Sequence, residues 1–304
     1  MLRTALLAAS RSPRLRTLVE RGPTRTVVDR FVAGTTVDGA LAAVRTLVTD
    51  RLVTVDHLGE NTTDRAGAEA TVAEYRTLLR RLRDEGLADR TEVSVKLSAL
   101  GQALPRDADA VTLEHARLVC AAAAEAGTTV TVDMEDHTTT DATLATVREL
   151  RKDFGWVGAV VQSQLRRTEA DCHELAGAGS RVRLCKGAYD EPASVAFRDP
   201  AEVKASFVRC LEVLFRGGGL PMVATHDPEL IETTRARAGR DGRPYELQML
   251  YGVRPRAQVE LAAQGDQVRV YLPYGTDWYG YLMRRLAERP ANVAFFLRSL
   301  VSRE

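Results

Sequence analysis

Eight short valine-rich runs, each followed by a longer stretch of helical periodicity, constrain this chain more than any other feature. The runs are LVTVD (52–56), EVSVKLS (92–98), TTVTVDME (128–135), VGAVVQ (157–162), RVRLCK (181–186), PMVATH (221–226), YELQML (245–250) and VRVYLP (268–273). Gly, Pro, Asp or Thr bounds them, as expected of strands. The intervening stretches, such as GAEATVAEYRTLLRRLRDEG and DPAEVKASFVRCLEVLFRGGG, read as amphipathic helices. The second opens on Asp-Pro and stops at three Gly, a start and a stop with clear backbone reasons. Eight strands alternating with helices, with no Pro/Gly/Ser-rich linker, predict an α/β fold of the closed (β/α)8 TIM barrel type. Extra N-terminal helices precede it (segment 1–50), and within the barrel segment (51–304) a C-terminal helix lies over the mouth. An open doubly wound sheet competes, but no GxGxxG follows the first strand.

Forty-two Lys+Arg against 41 Asp+Glu leave a net charge of +1, with no global field to attract nucleic acid. Cys120, Cys172, Cys185 and Cys210 form no CxxC pair, so neither a disulfide framework nor a metal site is expected. The opening MLRTALLAASRSPRLRTLVE has an apolar run shorter than the roughly 7 to 15 residues of a secretory signal, and it reads as an Arg-rich amphipathic helix. No stretch approaches the roughly 18 apolar residues of a membrane span. A cytoplasmic protein is expected, with peripheral contact to the inner face of the cell membrane as an option for the N-terminal helix. The bases comprise 38 Arg and only four Lys, at 96, 152, 186 and 204. Lys96 and Lys186 fall at the ends of strand-like runs.

On a barrel, the carboxyl ends of the strands would carry Asp56, Lys96, Asp133, Glu135, Gln162, Arg183, Lys186, Thr225, His226, Gln248 and Tyr271. The N-terminal halves read as mostly Val, Leu, Ala and Thr. Polar groups gathered at one end are what a barrel active site requires. Lys96 suits a Schiff-base nucleophile, a carboxylate-binding cation or a buried ion-pair member. Asp133 and Glu135 share strand parity, so both are expected to face the lumen while Val132 and Met134 face the helices. Arg183 and Lys186 have opposite parity, which sends Lys186 into the Gly187-Ala188 turn, where small residues admit close backbone approach. WYGYLMRRLAERP is expected to form a helix with Tyr281, Arg284, Arg285 and Glu288 at three- and four-residue spacings.

In order, SVKLSALG, VTVDMED, AVVQ, RVRLCKGAY, ATHD, YELQMLYG, RVYLPYG and YLMRRLAE resemble the proline dehydrogenase family, in its short single-function bacterial form, over roughly residues 30 to 303. The resemblance implies a flavoenzyme that binds FAD, oxidises L-proline to Δ1-pyrroline-5-carboxylate and passes electrons to a membrane quinone. It implies catalytic roles for Asp133 and Arg183. Lys96 with Arg284 and Arg285 would bind the substrate carboxylate, and Tyr271 and Tyr281 would wall the ring. Met134, Gln162, Arg183, Lys186, Gly187, Ala188, Thr225, His226, Gln248 and Glu288 would contact or frame the flavin. Cys185 departs from the family pattern, where an aliphatic residue is common. A methylenetetrahydrofolate reductase-like flavin barrel and a Schiff-base aldolase using Lys96 are the alternatives.

Overall fold

The computed structural model describes residues 25–288. The segment 1–20 and the side chains of Arg284 and Glu288 lie outside what it describes. Two helices, α1 (Arg25–Phe31) and α2 (Val37–Leu47), precede the repeating units. These are β1 (Leu52–His57) with α3 (Arg65–Asp84), β2 (Thr91–Val95) with α4 (Ala108–Ala126), β3 (Val130–Val132) with α5 (Thr140–Asp153), and β4 (Gly158–Gln162) with α6 (Thr168–Leu175). They continue as β5 (Arg181–Cys185) with α7 (Pro200–Arg216), β6 (Leu220–Ala224) with α8 (Pro228–Asp241), β7 (Glu246–Leu250) with α9 (Pro255–Ala263), and β8 (Val268–Tyr274) with α10 (Trp278–Glu288). Neighbouring strands pair in parallel and in sequence order, and β8 returns to β1 with Leu52 opposite Arg269 and His57 opposite Tyr274. This is the closed eight-stranded barrel expected from the sequence.

Strand alternation divides the interior into two chemically different spaces. Val53, Val55, Val93, Val95, Val130, Val132, Val182, Leu184, Leu247, Val270 and Leu272 face outward and form the hydrophobic core with the helices. Helix α3 meets them with Val72, Tyr75, Leu78, Leu79 and Leu82, an i, i+3, i+4, i+7 stripe. The alternate residues face the lumen, where Thr54, Glu92, Thr131, Arg181, Glu246 and Arg269 fill the lower part of the barrel. The lower lumen is therefore strongly charged, against the expectation of apolar N-terminal halves. Glu92 accepts from Thr54 (2.7 Å) and Arg181 (2.7 Å), and Arg269 clasps Glu246 through two bonds. Each buried charge has an opposite charge beside it, which is the condition for tolerating it.

Helix starts are set by local chemistry. Asp199 and Asp227 each cap a helix through the side chain, and a proline follows at the first helical position. Such caps contribute about 1 kcal/mol each. Thr36 caps α2 in the same way. Helix α1 packs beside α10, with Val28, Phe31 and Val32 against Leu58, Tyr281, Leu282 and Met283. The turn after α1 is tied to the barrel as well: Ala33 N–H donates to Pro273 O of β8 at 2.8 Å.

Candidate active site

A cavity of about 610 Å³ opens at the carboxyl end of the strands. Its wall includes Lys96, Asp133, Met134, Gln162, Arg183, Lys186, Gly187, Ala188, Thr225, His226, Gln248, Tyr271, Tyr281 and Arg285. The sequence-expected residues thus converge, apart from Arg284 and Glu288, whose side chains are outside those described.

Lys96 follows the last residue of β2 and is buried between β1, β3 and β8 at the cavity wall. Its Nζ donates to both oxygens of Asp56 (2.8 and 2.7 Å) and lies 3.7 Å from Asp133 Oδ2 and 3.5 Å from the Tyr271 hydroxyl. Burial works against the ammonium, but the Asp56 and Asp133 carboxylates outweigh it and hold the pKa above the ordinary lysine value. A Schiff-base nucleophile needs a neutral amine, so this environment opposes the aldolase alternative.

Asp133 is held from three sides. Ser94 Oγ (2.7 Å) and Arg183 Nη1 (2.6 Å) donate to Oδ1, and the Tyr271 hydroxyl donates to Oδ2 at 2.6 Å. Burial first, and then the neighbouring Asp133 charge, push the Tyr271 hydroxyl well above its usual pKa. Arg183 also donates through Nε to Gln248 Oε1 at 2.5 Å, and its guanidinium lies 5.3 Å from the Tyr271 ring centre. A guanidinium so placed has little freedom to turn.

The second half of the cavity is built from turns. Lys186 reaches Asp227 at 2.9 Å, and His226 Nε2 accepts from the Leu250 N–H at 2.9 Å, which places the ring proton on Nδ1. Gly187 has φ +107°, and a Cβ there would lie 2.3 Å from Gln164 Cδ. Gln164 ties the same loop down through the backbone: its N–H donates to Lys186 O (2.9 Å), and its carbonyl accepts from Phe197 N–H (2.8 Å).

Two details depart from the sequence reading. Strand β3 ends at Val132, so alternation does not carry through to Glu135. Glu135 turns back to Ser98, accepting from its N–H (3.2 Å) and hydroxyl (2.8 Å), while Met134 lines the cavity instead. Asp56, which carried no assigned role, is the bidentate partner of Lys96. Ser94 was missed altogether. Its even spacing with Glu92 on β2 and with Lys96 just after it is the signal that shared parity offered.

Closed parallel topology with a polar, ion-paired mouth defines a (β/α)8-barrel enzyme. The family model described as "Proline dehydrogenase" matches residues 40–298. "Proline dehydrogenase 1" of Bacillus subtilis is 36% identical over 307 residues, covering 100% of both chains. "Proline dehydrogenase" of Deinococcus radiodurans is 37% identical over 309 residues, covering 99% of this chain and 98% of that one. Among solved structures, proline utilization A (PutA) from Bdellovibrio bacteriovorus, inactivated by N-propargylglycine, superposes with a TM-score of 0.79 at 25% identity. That match covers 87% of this chain and 32% of the PutA chain, so this protein spans about a third of the larger one. The chain belongs to the proline dehydrogenase family and is an oxidoreductase.

Proposed function

We propose that this protein oxidises L-proline to Δ1-pyrroline-5-carboxylate using FAD, with electrons passing to a membrane quinone. The observation that carries this reading is the convergence of Lys96, Asp133, Arg183, Tyr271, Tyr281 and Arg285 on one cavity. Proline is a small zwitterion. Cations fix its carboxylate while aromatic rings pack its methylenes, which is the division of labour these six residues offer. Lys96 and Arg285, with Arg284 of the same helix, are the proposed carboxylate clamp.

The cavity volume lies within the roughly 300–1,000 Å³ typical of cofactor and drug-sized ligands. A side-chain-free approach at Gly187, beside Lys186 and Ala188, suits a nucleotide cofactor whose polar groups meet backbone N–H groups. Met134, Gln162, Lys186, Gly187, Ala188, Thr225 and His226 are the residues that would hold FAD, with Glu288 framing it from α10. Bound there, the flavin supplies the two-electron acceptor for the ring.

The chain's own residues orient the substrate and control protons. The ring carbon beside nitrogen loses a hydride, which requires the amine to arrive unprotonated, and the resulting iminium gives its N–H proton to bulk water once the product is released. Lys96 keeps its proton against Asp56, and Tyr271 keeps its own against Asp133. Neither accepts a proton from the amine. Instead they hold a cationic, water-poor pocket that favours the neutral amine over the ammonium. Tyr271 and Tyr281 exclude water from the face where the hydride leaves.

The test is the visible spectrum of purified protein, recorded without oxygen before and after L-proline. An oxidised flavin spectrum that bleaches on addition is the expected outcome. A flavin indifferent to proline would redirect the substrate assignment to other cyclic amines or folates. A colourless protein that does not take up FAD would overturn the reading.

A further inference from the structure

From the cavity wall down into the barrel runs a continuous hydrogen-bonded line of charged and amide groups. Arg269 Nε donates to Glu246 Oε1 at 2.7 Å, and Gln248 Nε2 donates to the same oxygen at 2.6 Å. Gln248 Oε1 then accepts from Arg183 Nε at 2.5 Å, and Arg183 Nη1 donates to Asp133 Oδ1 at 2.6 Å. Gln248 is 4% exposed and Glu246 is 1% exposed, so water does not substitute for either partner.

We propose that Gln248 is a positioning residue for Arg183, an amide required because one side chain must accept from a buried guanidinium while donating to a buried carboxylate. The inference rests on the proline-oxidising reading. Its physical basis is the donor and acceptor inventory: a carboxylate in that place accepts but cannot donate, and an alkyl group does neither. Glu246 fixes which way the amide faces, and Arg269 fixes Glu246. Arg183 is thereby held from the floor by Gln248 and from the side by Asp133 and Ser94. The residue acts on the reaction through the guanidinium it aims.

Gln248→Glu provides the discriminating variant. The introduced carboxyl would face Glu246 at hydrogen-bond distance, and the pair closes only while it shares a proton. When protonated it donates to Glu246 and accepts from Arg183, restoring the wild-type pattern. When both carboxyls are ionised they repel and the bracket is released. The charged and titratable groups surrounding the pair are Arg183 of β5, Arg269 and Tyr271 of β8, Glu92 of β2 and Asp133 just after β3.

The experiment compares wild type, Gln248→Glu and Gln248→Leu for steady-state proline oxidation and thermal midpoint from pH 6 to 8. For Gln248→Leu, kcat/KM is expected to fall about 10- to 100-fold at every pH. For Gln248→Glu, the deficit relative to wild type should shrink as pH falls, and the thermal midpoint relative to wild type should rise in the same direction. In the Arg183→Leu background, Gln248→Leu should add little, because its route of action is already removed. A Gln248→Glu deficit independent of pH, or full additivity with Arg183→Leu, overturns the proposal. An inert wild type would instead count against the substrate assignment, which separates the two failures.

Discussion

Asp56 sits at the end of β1, wholly buried, with both carboxylate oxygens on Lys96. Burial raises its pKa to about 6, with Lys96 pulling the other way and Asp133 adding to the rise. The unfolded chain titrates near 3.8, below the folded value. The native state therefore takes up this proton first as pH falls. The stabilising contribution is complete below 3.8 and is lost as pH rises through about 6. Asp56→Asn removes that dependence, so its stability relative to wild type should improve as pH rises across this window. Urea unfolding of both proteins at several pH values checks it, and parallel pH curves would refute the assignment. The same substitution strips Lys96 of its nearest anion, and loss of one partner from a buried pair costs about 3–5 kcal/mol. The scarcity of lysine was an informative signal at this scale: Lys96 and Lys186 line the cavity, whereas Lys152 and Lys204 pair with Glu149 and Glu229 on helices.

Among the elements, β3 and the loop after β5 show what pattern reading can and cannot resolve. A run such as TTVTVDME announces a strand, but its length depends on the neighbours that offer hydrogen bonds. β3 pairs with β2 from Val130 to Val132, a last bond runs from Asp133 N–H to Val95 O at 2.9 Å, and beyond that point the chain turns away. Side-chain parity held at Asp133, which faces the lumen as expected, and was unreadable beyond it. The loop after β5 is fastened by Gln164, by the Leu165–Ala196 bridge, and by Glu191 accepting from the His137 N–H at 3.0 Å. Gly187 lies at its start, with a positive φ and no room for a Cβ. Gly187→Ala should shift the loop at a strain cost of about 1–3 kcal/mol and weaken FAD binding roughly tenfold. Titration of added FAD by fluorescence measures this. Unchanged affinity would remove the loop from the proposed flavin site.

At the scale of the molecule, the barrel separates an apolar shell from a charged lumen, and helices α1 and α2 are part of the same packed body. Ala40, Leu41 and Val44 of α2 enter the main core, while α1 braces α10 at the mouth. Among the described residues, no helix is long and apolar enough to cross a membrane. For the proposed quinone acceptor, the Arg-rich residues 1–20 are the proposed element of membrane contact. Flotation with anionic liposomes, with and without that segment, tests this. The intact chain should float and the truncated chain should remain below. Equal behaviour would remove the segment from any membrane role.

Valine-rich alternation and its eightfold recurrence determined the barrel, because strands buried on both faces need that composition and parallel neighbours need helical crossovers. Ordered motifs likewise revealed the family and most of the residues that line the cavity. Tertiary structure alone decided which groups pair. Asp56 meets Lys96 across 40 positions of chain, Arg183 meets Ser94 across 89, and Tyr271 meets Asp133 across 138. Such partnerships depend on barrel closure and strand register, and no local periodicity encodes a distance between segments that far apart. The charged lower lumen was hidden for the same reason: Glu92, Arg181, Glu246 and Arg269 each look like surface residues until closure brings opposite charges together.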